Sequence, residues 1–388
     1  MSQPTLPMSS KLTDPKRPDV EWHISHEPSD KEWDGFVARD RESQCEQTSM
    51  WGEARAAFRW KAWRVIVRKE GRILGGAQCF EFKAKSIIKV GYICRGPVIE
   101  AGVEPEWIWD AILWAVRQRG ILYVALSFPY WGDEILPSFL NRGGLPRPPQ
   151  MPPAVWTQAT SVIDLAPDED ALAEKVRKTT RKHIRRAERA GLTVVEGSSE
   201  DLERFNSLML SLCRRRGVSP NVPGDTFVAL LWSKLAPAGC CKLLLSKLNG
   251  ETISSMLLIT MGAWVRAWRI GWSGQEEKSF PNDLLYWESV LWAKRHGFRH
   301  FDMGGIDRRD ADELAAGRPP EGSFHCSITF FKLGFGGNIL RMPGEYCYFP
   351  NPALRFLFRT VGCRLLENQA VMRALLGLYS RLFPRSGG

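Results

Sequence analysis

No C-x-x-C pair occurs among the nine cysteines of this 388-residue chain, and the count is odd. That argues against a disulfide framework and against a ribbon-type zinc site, and fits a reducing cytoplasm. No run is apolar for long enough to cross a bilayer. The opening residues, MSQPTLPMSSKLTDPKRPD, lack a charged start followed by an apolar core, so no signal peptide is expected and residues 1–19 read as a disordered tail. There is no Walker loop, no G-x-G-x-x-G after a strand, no G-x-S-x-G elbow and no H-E-x-x-H, which removes the commonest nucleotide, hydrolase and zinc-protease chemistries. His296 and His300 stand four apart, but Gly297 between them ends the helix. They read as a helix-end cation and a strand residue, and no metal is expected.

What remains is a globular composition, 44% hydrophobic and 25% charged, with length enough for two cores. The net charge of +10 and a pI near 9.2 ask for an anionic partner such as nucleic acid, a nucleotide diphosphate or an acidic membrane. A linker is legible in NRGGLPRPPQMPP at 141–153, whose prolines and paired glycines forbid continuous helix or central strand.

On either side of it the same pattern recurs. WDAILWAVRQRG from Trp109 and WESVLWAKRHG from Trp287 share Trp, Leu, Trp and Ala at identical relative positions, each an amphipathic helix ending at Gly and followed by a strand-like run. The segments before them, RVIVRKEGRILGGAQCFEF and KLLLSKLNGETISSMLLIT, both read as strand, turn at Gly71 or Gly250, strand. This predicts a duplicated α+β unit with helices on a mostly antiparallel sheet, an order resembling the acetyltransferase-like GNAT fold. Neither copy carries a convincing pyrophosphate cradle for coenzyme A. RILGGA matches the letters but lies between strands, and the equivalent loop of the second copy, SGQEEKSFPND, brings Glu276 and Glu277 where a phosphate would sit.

The densest charge is KVRKTTRKHIRRAERAG at 175–191. As a helix it places Val176, Thr180, Ile184 and Ala187 on an inner stripe, and Arg177, Arg181, Arg185 and Arg189 on another face. Stacking like charges every four residues is costly without a compensating anion, and the spacing suits a polyanion running along the helix.

QTSMWGEARAAF, GGAQ, YICRGPV, TTRKHIRRAERAG, FPNDLLYW, FDMGGID and FFKLGFGG, in this order over roughly residues 30 to 350, resemble the Fem family of non-ribosomal peptidyltransferases. The resemblance implies two tandem GNAT-like domains, at 20–150 and 151–345, with a C-terminal helical segment at 346–388 packing back on domain 1 or touching a membrane surface. The interval from Leu202 to Ala236 leaves no room for the long helical arm of some members. It implies transfer of an amino acid from aminoacyl-tRNA, as co-substrate and without a further cofactor, to an amine on a UDP-linked or lipid-linked muropeptide. The enzyme would be cytoplasmic, at the inner face of the membrane if that contact is made. Two other readings compete: a GNAT-type N-acyltransferase using CoA or another acyl donor on a small-molecule, antibiotic or exopolysaccharide amine, and a non-catalytic RNA-binding protein.

Aminolysis of an activated ester needs a neutral amine, close positioning and stabilisation of the oxyanion. Lys332 in FFKLGFGG, on the strand expected after segment 307–323, can project a charge toward that oxyanion or toward the phosphate of the terminal adenosine, and the resemblance gives it such a role, with Phe331 lining the site. Asp302 in FDMGG can orient or deprotonate the amine, or bind N–H groups in the turn. For the acceptor's diphosphate the resemblance points to Arg55, four after Trp51, and to Arg215 in the run Arg214–Arg216. Arg95 reads equally as a site residue or as a support for its strand end. The polar segment 307–323 is expected to be a mobile lid.

Overall fold

The computed structural model describes residues 12–14, 17–40, 44–84, 88–148, 157–220 and 226–362. They divide into two compact units, the first holding the described residues up to Asp40, those of 46–148 and those from Met342 on, the second holding 44–45 and 157–341.

The first unit contains β1 (Leu12–Asp14), β2 (Arg17–Ser25), β3 (Lys61–Lys69), β4 (Arg72–Ala84), β5 (Ile88–Ile93), β6 (Val98–Ile99), β7 (Tyr123–Leu126) and β8 (Leu145–Pro146). The second contains β9 (Ala159–Asp164), β10 (Thr193–Gly197), β11 (Cys241–Leu248), β12 (Glu251–Met261), β13 (Trp264–Trp272), β14 (His300–Gly305) and β15 (Asn338–Arg341), after which β16 (Tyr346–Tyr348) returns to the first sheet. The sheet orders are β1-β2-β3-β4-β5-β7-β16-β8, with β6 on β4, and β10-β11-β12-β13-β14-β9-β15.

The repeat is real in three dimensions. Both hairpins, β3–β4 and β11–β12, turn through two residues of positive φ, Glu70–Gly71 (50° and 80°) and Asn249–Gly250 (50° and 84°), the backbone a two-residue hairpin needs to match strand twist. In each unit a third antiparallel strand follows, then a helix, Pro105–Gln118 or Pro281–Arg295, then a strand parallel to that third one: β7 on β5, β14 on β13. All other pairings are antiparallel. RILGGA lies along β4, with no helix following it.

Strand alternation explains the first core. Trp63, Val65 and Val67 of β3 face the same way as Ala77 and Cys79 of β4, and meet Ile108, Trp109, Ile112 and Val116 of the helix. Each such large apolar side chain, fully buried, contributes roughly 1.5–3 kcal/mol. The second core repeats the scheme with Leu244, Met256, Leu258, Val265, Leu284, Val290 and Phe301. Trp109 is fully buried, whereas its repeat partner Trp287 only flanks its core.

Three expectations need correction. Part of the presumed tail is ordered, since β1 pairs antiparallel with β2 and extends the sheet edge. Tyr346–Tyr348, expected in a helical segment, is a strand between β7 and β8, because its half-buried and buried aromatic residues complete the first sheet. The basic helix begins at Lys178: Val176 is buried but extended, as the cap of the preceding helix Glu169–Lys175, and Arg177 is the N-cap. Short helices Leu202–Arg216 and Phe227–Leu235 occupy the interval where an arm would insert. Of the C-terminal segment, Pro352–Leu357 is helical, and residues 363–388 lie outside the described residues. Among the described residues no helix is long and apolar enough to cross a membrane.

Candidate active site

In the second unit the parallel ladder between β13 and β14 ends at Arg266 opposite Asp302. Beyond that pair the chain turns through Gly304 at φ +78°, where a Cβ would lie 2.8 Å from the Ala267 carbonyl oxygen and 3.1 Å from the Lys332 Nζ. Glycine is required there on both counts. Asp302 is fully buried, accepts the Gly304 N–H at 2.8 Å and is hydrogen-bonded by the Thr160 hydroxyl. Of the two roles open to it from sequence, these bonds match binding of the turn.

Lys332 was expected on a strand and instead stands on the short helix Ile328–Leu333, whose start is capped by the Ser327 hydroxyl accepting the Phe330 N–H at 3.1 Å. The helix turns the side chain inward: Lys332 is 7% exposed, and its ammonium donates to the Gly305 carbonyl oxygen at 2.8 Å. That is one of three N–H groups, and the other two have no partner among the described residues. Burial lowers the Lys332 pKa to about 8, with Asp302 opposing the shift and the charge of Arg216 adding to it.

Two members of this cluster were not legible in sequence. Tyr286, on the helix Pro281–Arg295, is buried and meets the Phe331 ring edge to face at 5.4 Å. Burial pushes its phenol pKa up, Arg216 opposing and Asp302 reinforcing, so its hydroxyl lies in the field of the same groups as Lys332. Arg216, not Arg215, is the member of the arginine run whose charge reaches Lys332 and Tyr286. Arg215 is held elsewhere: it donates to the Trp272 carbonyl at 2.7 Å and lies over the Trp272 ring at 4.5 Å. The helix periodicity around Gly217 would have had to be known to one residue to separate them. Removing the charge with Arg216→Ala is expected to raise the Lys332 pKa, detected as an upward move of its titration in the pH dependence of amine labelling, while Arg215→Ala leaves it in place.

In the first unit, Trp51 and Arg55 share the helix Ser49–Ala56, capped by Thr48. Trp51 is buried. The Arg55 guanidinium lies over Trp60 at 5.5 Å and Phe80 at 5.7 Å, has no hydrogen bond or ion pair among the described residues, and has its pKa lowered by burial. A guanidinium so placed, on two rings and without a hydrogen bond or ion pair among the described residues, has its charge-assisted donors available to an anion. Arg95 supports its strand end: it is buried, has φ +51°, stacks over Tyr130 at 4.8 Å and anchors its N–H on the Ser127 hydroxyl.

The four arginines of the basic segment are not equivalent. Arg177 stacks on Phe330 at 3.6 Å and donates to the Phe330 carbonyl, and Arg181 donates to the carbonyls of Ala173 and Glu174. Arg185 and Arg189 are exposed. The segment 307–323, expected as a lid, is half helix: Arg308–Ala315 is capped by Asp307 and tied by Arg308 and Arg341 to Asp312, and the Asp307 N–H donates to Thr329. Its polar letters are used for capping and pairing.

The start of helix Pro281–Arg295, at the end of the loop SGQEEKSFPND, carries its own carboxylate. Pro281 brings no N–H, and the buried Asp283 carboxylate occupies the first turn, paired with the His183 Nδ1 at 3.0 Å. The His183 ring stacks on Phe280 at 3.8 Å. His296 caps the far end of that helix against Trp292, and His300 stacks on Trp264, so these two serve separate local contacts.

Residues 174–312 match the acetyltransferase (GNAT) domain family. The chain is 20% identical over 412 aligned positions to a lipid II:glycine glycyltransferase of Staphylococcus saprophyticus, covering 87% of this chain and 96% of that protein. Its fold matches the crystal structure of FemX with a TM-score of 0.70 at 18% identity, over 87% of this chain and 99% of that one. L-PGS from Bacillus licheniformis matches with a TM-score of 0.54 at 15% identity, over 89% and 99%. The tandem GNAT-like fold without a long arm is therefore as the sequence repeat and motifs anticipated.

Proposed function

We propose, for a chain that is a homologue of the lipid II:glycine glycyltransferases and an amide-forming acyltransferase of the GNAT fold, that it moves an amino acid from aminoacyl-tRNA to an amine on the stem peptide of a peptidoglycan precursor. The observation that carries this reading is Lys332: a buried ammonium with two N–H groups to spare, at the end of a parallel ladder and close against a two-glycine turn.

In the reaction the neutral acceptor amine attacks the ester carbonyl, the C–N bond forms, the ester C–O bond breaks, and the proton lost by nitrogen ends on the ribose hydroxyl. Lys332, protonated at neutral pH and fixed by Gly305, stabilises the oxyanion that develops between those events. Asp302 acts as a positioning residue, since its Oδ1 accepts from both the Gly304 N–H and the Thr160 hydroxyl. Phe331 and Tyr286 form an aromatic wall that excludes water from the ester. Arg55 receives an anionic group of the acceptor, for which the diphosphate of a lipid-linked or UDP-linked muropeptide fits a desolvated guanidinium. Arg55→Ala is accordingly expected to raise KM for a diphosphate-bearing acceptor by roughly tenfold or more and to leave KM unchanged for the free stem peptide, a contrast read by steady-state kinetics on the two acceptors. An RNA-borne donor agrees with a helix start that brings Pro281 and the Asp283 carboxylate, paired with His183, where a pyrophosphate would need N–H donors.

The test is transfer of radiolabelled amino acids from a charged tRNA pool to lipid-linked and UDP-linked muropeptides, with an RNase control. RNase-sensitive product supports the reading. Acylation from acetyl-CoA, with no transfer from tRNA, overturns it.

A further inference from the structure

Within the reading of an RNA-carried donor, we infer that the phosphate backbone of that RNA runs along Lys178, Lys182, Arg185 and Arg189. These residues are spaced four, three and four, so at 100° per residue they fall on one narrow stripe, nearly opposite the buried Thr180, Ile184 and Ala187. All four are exposed, and none has a hydrogen bond, ion pair or ring contact among the described residues. The remaining arginines of the segment are engaged: Arg177 on Phe330, Arg181 on two carbonyls, Arg186 over Phe280 at 5.4 Å. Glu188, the exposed acidic residue of the helix, lies on the flank and pairs with none of the four.

The stripe advances roughly 16 Å from first to last cation. A single phosphate or diphosphate cannot span that length, whereas a nucleic-acid strand presents charges continuously along it. A lipid surface is disfavoured by the same helix. A membrane-bound basic helix needs apolar residues beside its cations, and here the apolar stripe is already packed into the core of the unit. Four like charges on successive turns destabilise a free helix, and a bound polyanion reverses the sign of that term.

The experiment uses full-length protein and deacylated tRNA, with affinity measured by fluorescence anisotropy from 50 to 200 mM salt. The wild type is compared with Lys178→Gln/Lys182→Gln/Arg185→Gln/Arg189→Gln and with a control that removes four exposed cations of the first unit, Lys31→Gln/Arg39→Gln/Lys61→Gln/Lys83→Gln. The stripe variant is expected to lose at least about tenfold in affinity at 100 mM salt and to lower the slope of log K against log salt by roughly 3, while the control changes neither comparably. Unchanged affinity and slope, equal loss in the control, or binding to anionic vesicles in place of tRNA overturns the inference. A wild type that binds tRNA through the stripe but transfers nothing from any aminoacylated donor overturns the donor reading alone.

Discussion

Replacing Lys332 by Ala is expected to lower kcat/KM for the proposed transfer by about 10²- to 10³-fold, the usual loss when one fixed donor to an oxyanion is removed. The protein is expected to stay folded, because Lys332 makes a single hydrogen bond and Asp302 keeps the Gly304 N–H and the Thr160 hydroxyl as donors when the ammonium is removed. A sharper result concerns pH. Burial lowers the Lys332 pKa from its ordinary 10.5 to about 8, so in the proposed role the cation is lost as pH rises through that region. The kcat/KM profile therefore falls above about pH 8, on top of the rise contributed by deprotonation of the acceptor amine. Lys332→Arg keeps its charge across the range, so its profile lacks the descending limb whatever its absolute rate. A descending limb that persists in the arginine variant would assign it to another group. The linkage to stability has the opposite sense. The unfolded chain keeps this proton up to about 10.5 and the folded chain releases it near 8, so conformational stability contributed by this group rises as pH goes from 8 toward 10.5. Activity and stability thus diverge over the same interval, which a melting series beside the rate profile reads directly.

Asp302→Ala is expected to cost about 3–5 kcal/mol of stability in the second unit, the range for removing one partner from a buried, hydrogen-bonded charge arrangement. Three groups lose their acceptor or countercharge together: the Gly304 N–H, the Thr160 hydroxyl and the Lys332 ammonium. In thermal unfolding the loss appears as a drop of roughly 10 °C in the transition of that unit. Asp302→Asn keeps an acceptor for the turn and removes the charge, so it recovers most of the stability while lowering the Lys332 pKa further. The descending limb of the rate profile then moves to lower pH. Should Asp302→Ala melt like the wild type, the carboxylate is not the tie that holds the two-glycine turn.

The duplicated unit was legible because it rests on local chemistry. A Gly after the hairpin's first strand, a Trp-rich helix with 3.6-residue periodicity and a closing Gly each declare themselves within a dozen residues. FDMGG announced a strand end and a special turn, and Gly304 at φ +78° beside the Ala267 carbonyl is the reason glycine stands there. FFKLGFGG was read with the wrong backbone. The run is too short for its letters to set a helical or strand period, but Ser327 caps a helix, and that helix is what aims Lys332 at Gly305. Segment 307–323 had the composition of a mobile loop, yet its acidic and basic residues find partners at helix spacing and on β15.

The basic segment marks the limit most plainly. Its letters determined that a helix would form with one buried stripe and an excess of positive charge, since periodicity and charge are properties of neighbours in the chain. Which of those cations stay available was decided only by tertiary structure: Phe330, the carbonyls of Ala173 and Glu174, and Phe280 claim Arg177, Arg181 and Arg186, leaving the stripe from Lys178 to Arg189 exposed. The same division holds at Lys332. Sequence placed a lysine between apolar residues near two glycines, but its lowered pKa depends on burial and on charges from Asp302 and Arg216, which are 30 and 116 positions away in the chain and meet it only when the sheet has formed.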